Sequence, residues 1–309
     1  MLKKWRRILI IGGYVIFAGF SLLLALSYTF PADVVSQRLE NEVQKITNGQ
    51  YAIQFNNVST YRFSGIHAKT AIIRSTQPGN QPLKMQLNDF HIRVQLLPLI
   101  LFRLAIASGF DIEQGELDFQ VEMQNSGAMD INMDVDDLSI SSPPILLQQF
   151  GLPVIGYLNL RTDIKWRPFD VKQTKGVLNL KLDKVAIGPG KVSGLTVPTT
   201  TIGTIKLNLT ANDGIIKVAS FQQEGGQVQI NLDGNIKLKT KFNLSNLDLC
   251  IKIKPDQSYL NKNPNIATAW ELSAAKFRKD PKGFLHIPYG GTINRPIKGT
   301  GLCKVTKDL

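Results

Sequence analysis

GELDFQVEMQ, residues 115–124, sets Leu117, Phe119, Val121 and Met123 at every second position, with Glu116, Asp118, Gln120 and Glu122 between them. Side chains alternate across a strand, so this spacing gives one apolar and one polar face and predicts a half-buried β-strand. The same grammar returns on the C-terminal side. Leu158, Leu160, Ile164 and Trp166 share a parity within 157–166, Leu178, Leu180 and Leu182 within 176–187, and Ile205, Leu207 and Leu209 within 203–210. A further run covers 227–244. Strands apolar on one side only belong to antiparallel sheets.

Glycines at 115, 127, 156, 176, 203, 214 and 226 fall at the starts of these runs and read as turn residues at irregular spacing. In 82–96 the apolar parity changes between Leu87 and Phe90, which predicts a bulge or sharp bend at Asn88 and Asp89. Two short helices interrupt the pattern. One is expected in 142–151, opened by Pro143 or Pro144 and ended by Gly151; the other in 267–283, closed by Lys276, Arg278 and Lys279 ahead of Pro281 and Gly283. So little helix cannot cover so many one-sided strands. Either two sheets pack as a sandwich or one folded sheet leaves an apolar groove.

Before Tyr51 the period is different. Residues 8–28, ILIIGGYVIFAGFSLLLALSY, contain no charge, and a helix of that length reaches about 31 Å, enough for the hydrocarbon core of a bilayer. Lys3, Lys4, Arg6 and Arg7 precede it without an acidic residue, so by the positive-inside rule 1–7 forms a cytoplasmic tail. The span is longer than the core of a signal peptide and lacks a clean small-x-small cleavage site, which favours an uncleaved anchor. Pro31 and Asp33 then open an amphipathic juxtamembrane helix within 29–50, with Val35, Leu39, Val43 and Ile46 on one face and Gly49 at its end. The expected organisation is tail, single anchor, juxtamembrane helix, and a β-rich domain over 51–309 outside the cytoplasm.

The chain carries a net charge of +12, of which the tail supplies four, leaving +8 for the exported part. Such a surface suits anionic headgroups or acidic partners. Nucleic acid is not expected, because the basic residues are scattered along strands without a clustered stripe or stacking aromatics. Cys250 and Cys303, the only cysteines, form a candidate disulfide in an oxidising compartment.

No catalytic constellation emerges. His67, His91 and His286 stand apart in sequence with no partner at metal-ligand spacing, and neither H-E-x-x-H nor G-x-S-x-G occurs. Asp130, Asn132, Asp134 and Asp136 alternate like a calcium loop, but the loop glycine and closing glutamate are missing and Ile131, Met133 and Val135 alternate as in a strand. Residues 188–194, GPGKVSG, miss the dinucleotide fingerprint and read as a β-turn. No catalytic residue, metal ligand or cofactor is expected.

The apolar run LLPLILF at 96–102 stands out. With Leu96, Leu97, Leu99, Ile100, Leu101 and Phe102 it is too short to span a membrane. It is either a buried turn between strands or an apolar contact segment.

The layout as a whole resembles a family. A basic tail and single anchor, then YTFPADVVSQRLENEV (28–43), QLLPLILFRLAIASGFDIEQGELDF (95–119), FGLPVIGYLNLRTDIKW (150–166) and GFLHIPYGGTINRPIKG (283–299) look like the type II secretion system protein N family. The same features are similar to AsmA-like envelope proteins, whose β-grooves are associated with lipid handling. The resemblance implies a Gram-negative inner-membrane protein with an elongated, mainly β periplasmic domain. It brings no catalytic residue. Two functions follow as expectations: an accessory of the secretion machine that binds its other components, or a lipid-binding protein whose groove takes phospholipid.

Overall fold

A computed structural model describes residues 10–14, 17–19, 21, 24–25, 29–76, 84–140, 152–192 and 195–303. The chain is mainly β and antiparallel, with few short helices. The β region expected as one domain over 51–309 falls into two compact units, Met1–Asp111 and Ile112–Leu309.

In the first unit helix α1 (Ala32–Ile46) precedes strands β1 (Tyr51–Tyr61), β2 (Gly65–Ser75) and β3 (Lys84–Val94), the single-turn helix α2 (Leu96–Ile100) and β4 (Leu104–Ile112). The strands pair antiparallel in chain order. The helix starts after Pro31 and ends where Asn48 and Gly49 take positive φ. It lies along β1: Glu40 Oε1 accepts the backbone N–H of Phe55 at 3.0 Å, which occupies a donor on the outer edge of that strand. Val35, Leu39 and Val43 are half-buried on this contact. Ile46 is not part of it; it is 79 % exposed, and Ser36 is the buried residue of the helix, its hydroxyl satisfied by the carbonyl of Asp33. Ile46 lies on the side of the helix turned away from β1.

The second unit contains β5 (Gly115–Met123), β6 (Met129–Ser139), β7 (Val154–Trp166), β8 (Lys175–Ile187), the ribbon β9 (Gly190–Val192) and β10 (Leu195–Val197), then β11 (Thr200–Asn212), β12 (Ile215–Glu224), β13 (Val228–Lys237), β14 (Asn246–Pro255), helices α3 (Gln257–Lys262) and α4 (Pro264–Lys276), β15 (Leu285–Thr292) and β16 (Arg295–Lys298). Its sheet runs β5-β6-β7-β8-β11-β12-β13-β14-β15-β16. Each strand follows its predecessor, with the β9–β10 ribbon set aside as a separate pair.

Several details depart from the sequence pattern. Residues 188–194 do not form a simple turn, since Gly190–Val192 pairs as β9 with β10. The run expected through Leu244 ends at Lys237, and Phe242–Leu244 is a turn of 3₁₀ helix. Helix α4 starts at Pro264, in the first-turn position where its missing N–H costs nothing, and stops at Lys276, so Arg278 and Lys279 lie beyond it. Helix α3 carried no sequence signal. The helix expected in 142–151 lies outside the described residues, as does much of the span 8–28. The described positions of that span are helical, and among the described residues no helix is long and apolar enough to cross a membrane.

Left-handed residues crease both sheets. Asp89 has φ +50 and the β3–β4 register slips between Asn88 and His91, where the parity change in the sequence required it. Asn57, φ +53, interrupts β1 at the corresponding level. A second crease crosses the other unit through Asp137 on β6, Gly156 on β7, Lys184 on β8 and Gly203 on β11, all with positive φ and beside register shifts. Gly156 and Gly203 are therefore bulges inside strands, not the turn residues their spacing suggested, and Gly176 also sits within β8.

Candidate functional site

The register of the second unit aligns the apolar positions into rows that cross the sheet. One row runs Val121, Ile131, Ile164, Gly176, Ala211, Ile216, Ile236, Leu247 from β5 to β14. Beside it lies Leu117, Val135, Leu160, Leu180, Leu207, Phe221. The reverse face at the same level reads Asp118, Asp134, Arg161, Asn179, Asn208, Ser220. One face is mainly hydrocarbon, with Thr162 and Gln223 as polar exceptions, and the other polar, as the period-two reading requires. Leu178 and Ile205 lie on the apolar face with Leu117, as their parity requires, and Leu249 on β14 joins them.

What distinguishes this face is that among the described residues no second sheet lies over it. Of the described helices, α3 packs on α4 and reaches the end of β11 through Tyr259, and α4 packs on β10. Leu117, Leu160, Leu180, Leu207 and Ile230 are half-buried; Val135 is an exception at 2 % exposure. A sandwich core would bury such side chains almost completely.

The face is also bounded at one end. The rings of Trp166, at the end of β7, and Phe242, just after β13, meet edge-on with centroids 6.0 Å apart. Those strands are four ladder steps apart, about 19 Å along a flat sheet at the usual strand spacing. Phe242 stands five residues beyond β13, so the gap is closed by that loop reaching back, by bending of the sheet, or by both, and the apolar face is walled at this end into a trough. At the other end the buried hydroxyls of Thr200 on β11 and Tyr259 on α3 lie 2.6 Å apart.

On the polar side the acidic residues of β6 serve as a strand face, as their alternation indicated. Arg167 binds Asp130 at 2.7 Å and Arg161 binds Asp134 at 2.9 Å. Cys250 and Cys303 are bridged, with Cα atoms 5.8 Å apart. His286 lies against this bridge, its Nδ1 accepting the N–H of Cys303 at 3.2 Å, so its ring proton sits on Nε2 and faces Asp280 at 3.3 Å. Cys250, His286 and Cys303 are close enough together to suggest a metal site, but the disulfide occupies both sulfurs. The other two histidines do not stand apart as in the sequence. His67 and His91 are paired across β2 and β3, His67 contacts Asp89 at 2.6 Å, and the ring of Tyr61 lies 4.9 Å from that of His91.

The segment LLPLILF is not a buried turn. It forms α2 and the loop into β4, and its side chains face out: Leu97 is 78 %, Ile100 72 % and Phe102 80 % exposed, with Leu99, Leu101 and Leu104 exposed as well and Leu96 half-buried. Positive φ at Phe102 and bonds from Leu101 N and Arg103 N to Pro98 O hold the loop as a tight knuckle. Its exposure was not revealed by sequence alone.

No family model, curated protein or solved structure matches this chain.

Proposed function

We propose that the protein is a membrane-anchored, non-catalytic lipid-binding protein whose β trough takes acyl chains. The observation that carries the reading is the apolar face of the second unit: eight aligned strands present mainly Val, Ile, Leu and Ala there, interrupted by polar residues such as Thr162 and Gln223, with no second sheet over them among the described residues. Burying hydrocarbon there gains about 25 cal/mol per Å² of apolar surface removed from water, and the groove needs no specific polar contact to accept a chain. The anchor is supported by the uncharged stretch 8–28 behind four basic residues, and by helical Ile10, Ile11, Tyr14, Phe17 and Leu24, which present bare apolar side chains. The β-rich region 51–309 would then lie on the periplasmic side.

The test is native mass spectrometry of the full chain purified in mild detergent. Co-purified phospholipid is expected, and replacing Leu180 and Leu207 together by Gln should remove it while the strand content measured by circular dichroism stays. A lipid-free wild-type protein would refute the reading.

The second reading, an accessory of type II secretion that binds its other components, is favoured by the polar reverse face, which a partner could reach while the trough is filled. The resemblance in layout supports the same reading. Strand addition at β16 is a poor route, because Arg295, Pro296 and Lys298 blunt that edge. Unchanged export of folded proteins after deletion of the gene would sink it.

A further inference from the structure

We propose that the knuckle Leu96–Leu104 inserts into the interface of the anionic bilayer beside the anchor, with Arg62, Arg93 and Arg103 set around it for lipid phosphates. The inference rests on the membrane-anchored reading and is independent of the trough.

Three observations within the first unit converge on it. The first is chemistry: five exposed apolar side chains, Leu97, Leu99, Ile100, Leu101 and Phe102, crowd one loop tip. A loop of this kind in water is a liability unless something apolar receives it.

The second is charge. The β1–β2 turn stands next to the knuckle, since Val94 N donates to Ser64 O at 3.2 Å and Gln95 N to Ala105 O at 2.8 Å. That turn contributes exposed Arg62 and Phe63, and the strand ends contribute Arg93 and Arg103. Residues 57–66 and 90–110 contain no Asp or Glu. An apolar tip flanked by cations, with no acidic residue in its own loop or in the neighbouring turn, matches an anionic leaflet, with headgroup phosphates above hydrocarbon. An apolar protein pocket would not require the flanking cations.

The third is position. Helix α1 runs antiparallel to β1: its C-terminal end meets Tyr51 through Thr47, and Glu40 has already advanced to Phe55. The eight residues from Glu40 back to Ala32 advance about 12 Å further, some three to four strand residues, toward the Tyr61 end of the sheet. The chain coming from residues 10–25 thus joins the unit at the end that carries the knuckle.

The experiment uses the full chain in nanodiscs, with a single reporter cysteine at Leu101→Cys carrying an environment-sensitive fluorophore; the native cysteines remain bridged under non-reducing conditions. Control labels are placed at Leu24→Cys in the anchor and Lys84→Cys at the far end of the same sheet. Lipids brominated in the acyl chain should quench the labels at 101 and 24 and spare that at 84. Quenching at 101 should be stronger in discs containing phosphatidylglycerol than in phosphatidylcholine alone. Replacing Arg62, Arg93 and Arg103 together by Gln should lower the inserted-to-withdrawn ratio by roughly 100-fold, at about fivefold per arginine. Quenching at 24 without quenching at 101 overturns the proposal and leaves the anchor intact. Quenching at neither overturns both. A label at 101 shielded only when another protein is added would assign the knuckle to that protein and also overturn the proposal.

Discussion

Ile230 donates its backbone N–H to the side-chain carbonyl of Gln223, 2.5 Å away, at a point where the strands carrying them have parted. The register between β12 and β13 covers only Ile215–Lys217 against Asn235–Lys237. Beyond it the Gln223 amide donates to Ile202 O at 2.6 Å and to Val228 O at 2.8 Å, so one side chain replaces part of a missing ladder. Gln223→Leu should preserve volume and strand propensity but leave these groups without their partner. The expected loss is about 1–3 kcal/mol, measured by urea unfolding, and the Ile230 amide should lose protection in hydrogen exchange.

The bridge between Cys250 and Cys303 closes a loop with a sequence separation of 53 residues. Its removal should cost about 4 kcal/mol in the chain-entropy model. The Cys250→Ser/Cys303→Ser double variant is therefore expected to unfold at distinctly lower denaturant than the oxidised protein, and to match wild type once both are reduced. Equal midpoints before reduction would remove the bridge from the account of stability.

Burial pushes the Asp280 carboxyl up, but the N–H of Phe284 and the His286 ring together hold it below its usual value of 3.8. A carboxyl depressed in the folded state stabilises the fold above its unfolded pKa, and that contribution is lost as pH falls through the lower folded value. Asp280→Asn should therefore lower the melting temperature at pH 7. The gap from wild type should close as pH drops below about 4. A gap of constant size from pH 7 to pH 2 would contradict this.

Gly234 lies in the middle of β13 with φ +124, and a Cβ there would stand 2.1 Å from Asp248 O. Neither the strand backbone nor the left-handed geometry can yield cheaply. Gly234→Ala should cost about 2–3 kcal/mol, read by thermal unfolding, while Gly225→Ala, where φ is +73 but the space is open, should cost only the left-handed backbone strain, about 1 kcal/mol.

Strand positions and faces were legible because a period of two leaves a mark in every window: Leu117 to Met123 and Leu178 to Leu182 fall on one side as their parity requires. The crease at Asp89 was legible for the same reason, since the parity itself changes there. Gly156 and Gly203 were harder, because a glycine that bends a strand and one that ends it look alike until the pairing register is known. The trough was half legible. Scarcity of helix announced an uncovered face, but whether two sheets would close on each other depends on curvature and on where loops reach, which contacts such as Trp166 with Phe242 set and no local pattern encodes. The knuckle was found by composition but its exposure was left open, because hydrophobicity alone does not say on which side of the surface a run will stand.

Because nearly every strand in each unit pairs with the one made just before it, the sheets can grow by accretion as the chain is synthesised, N-terminus first. Loop closure between successive strands stays short, which keeps the entropic cost of each addition low. Cys250 must wait for Cys303, so the bridge acts as a late rivet that fastens β14 only after β15 and β16 have been laid down.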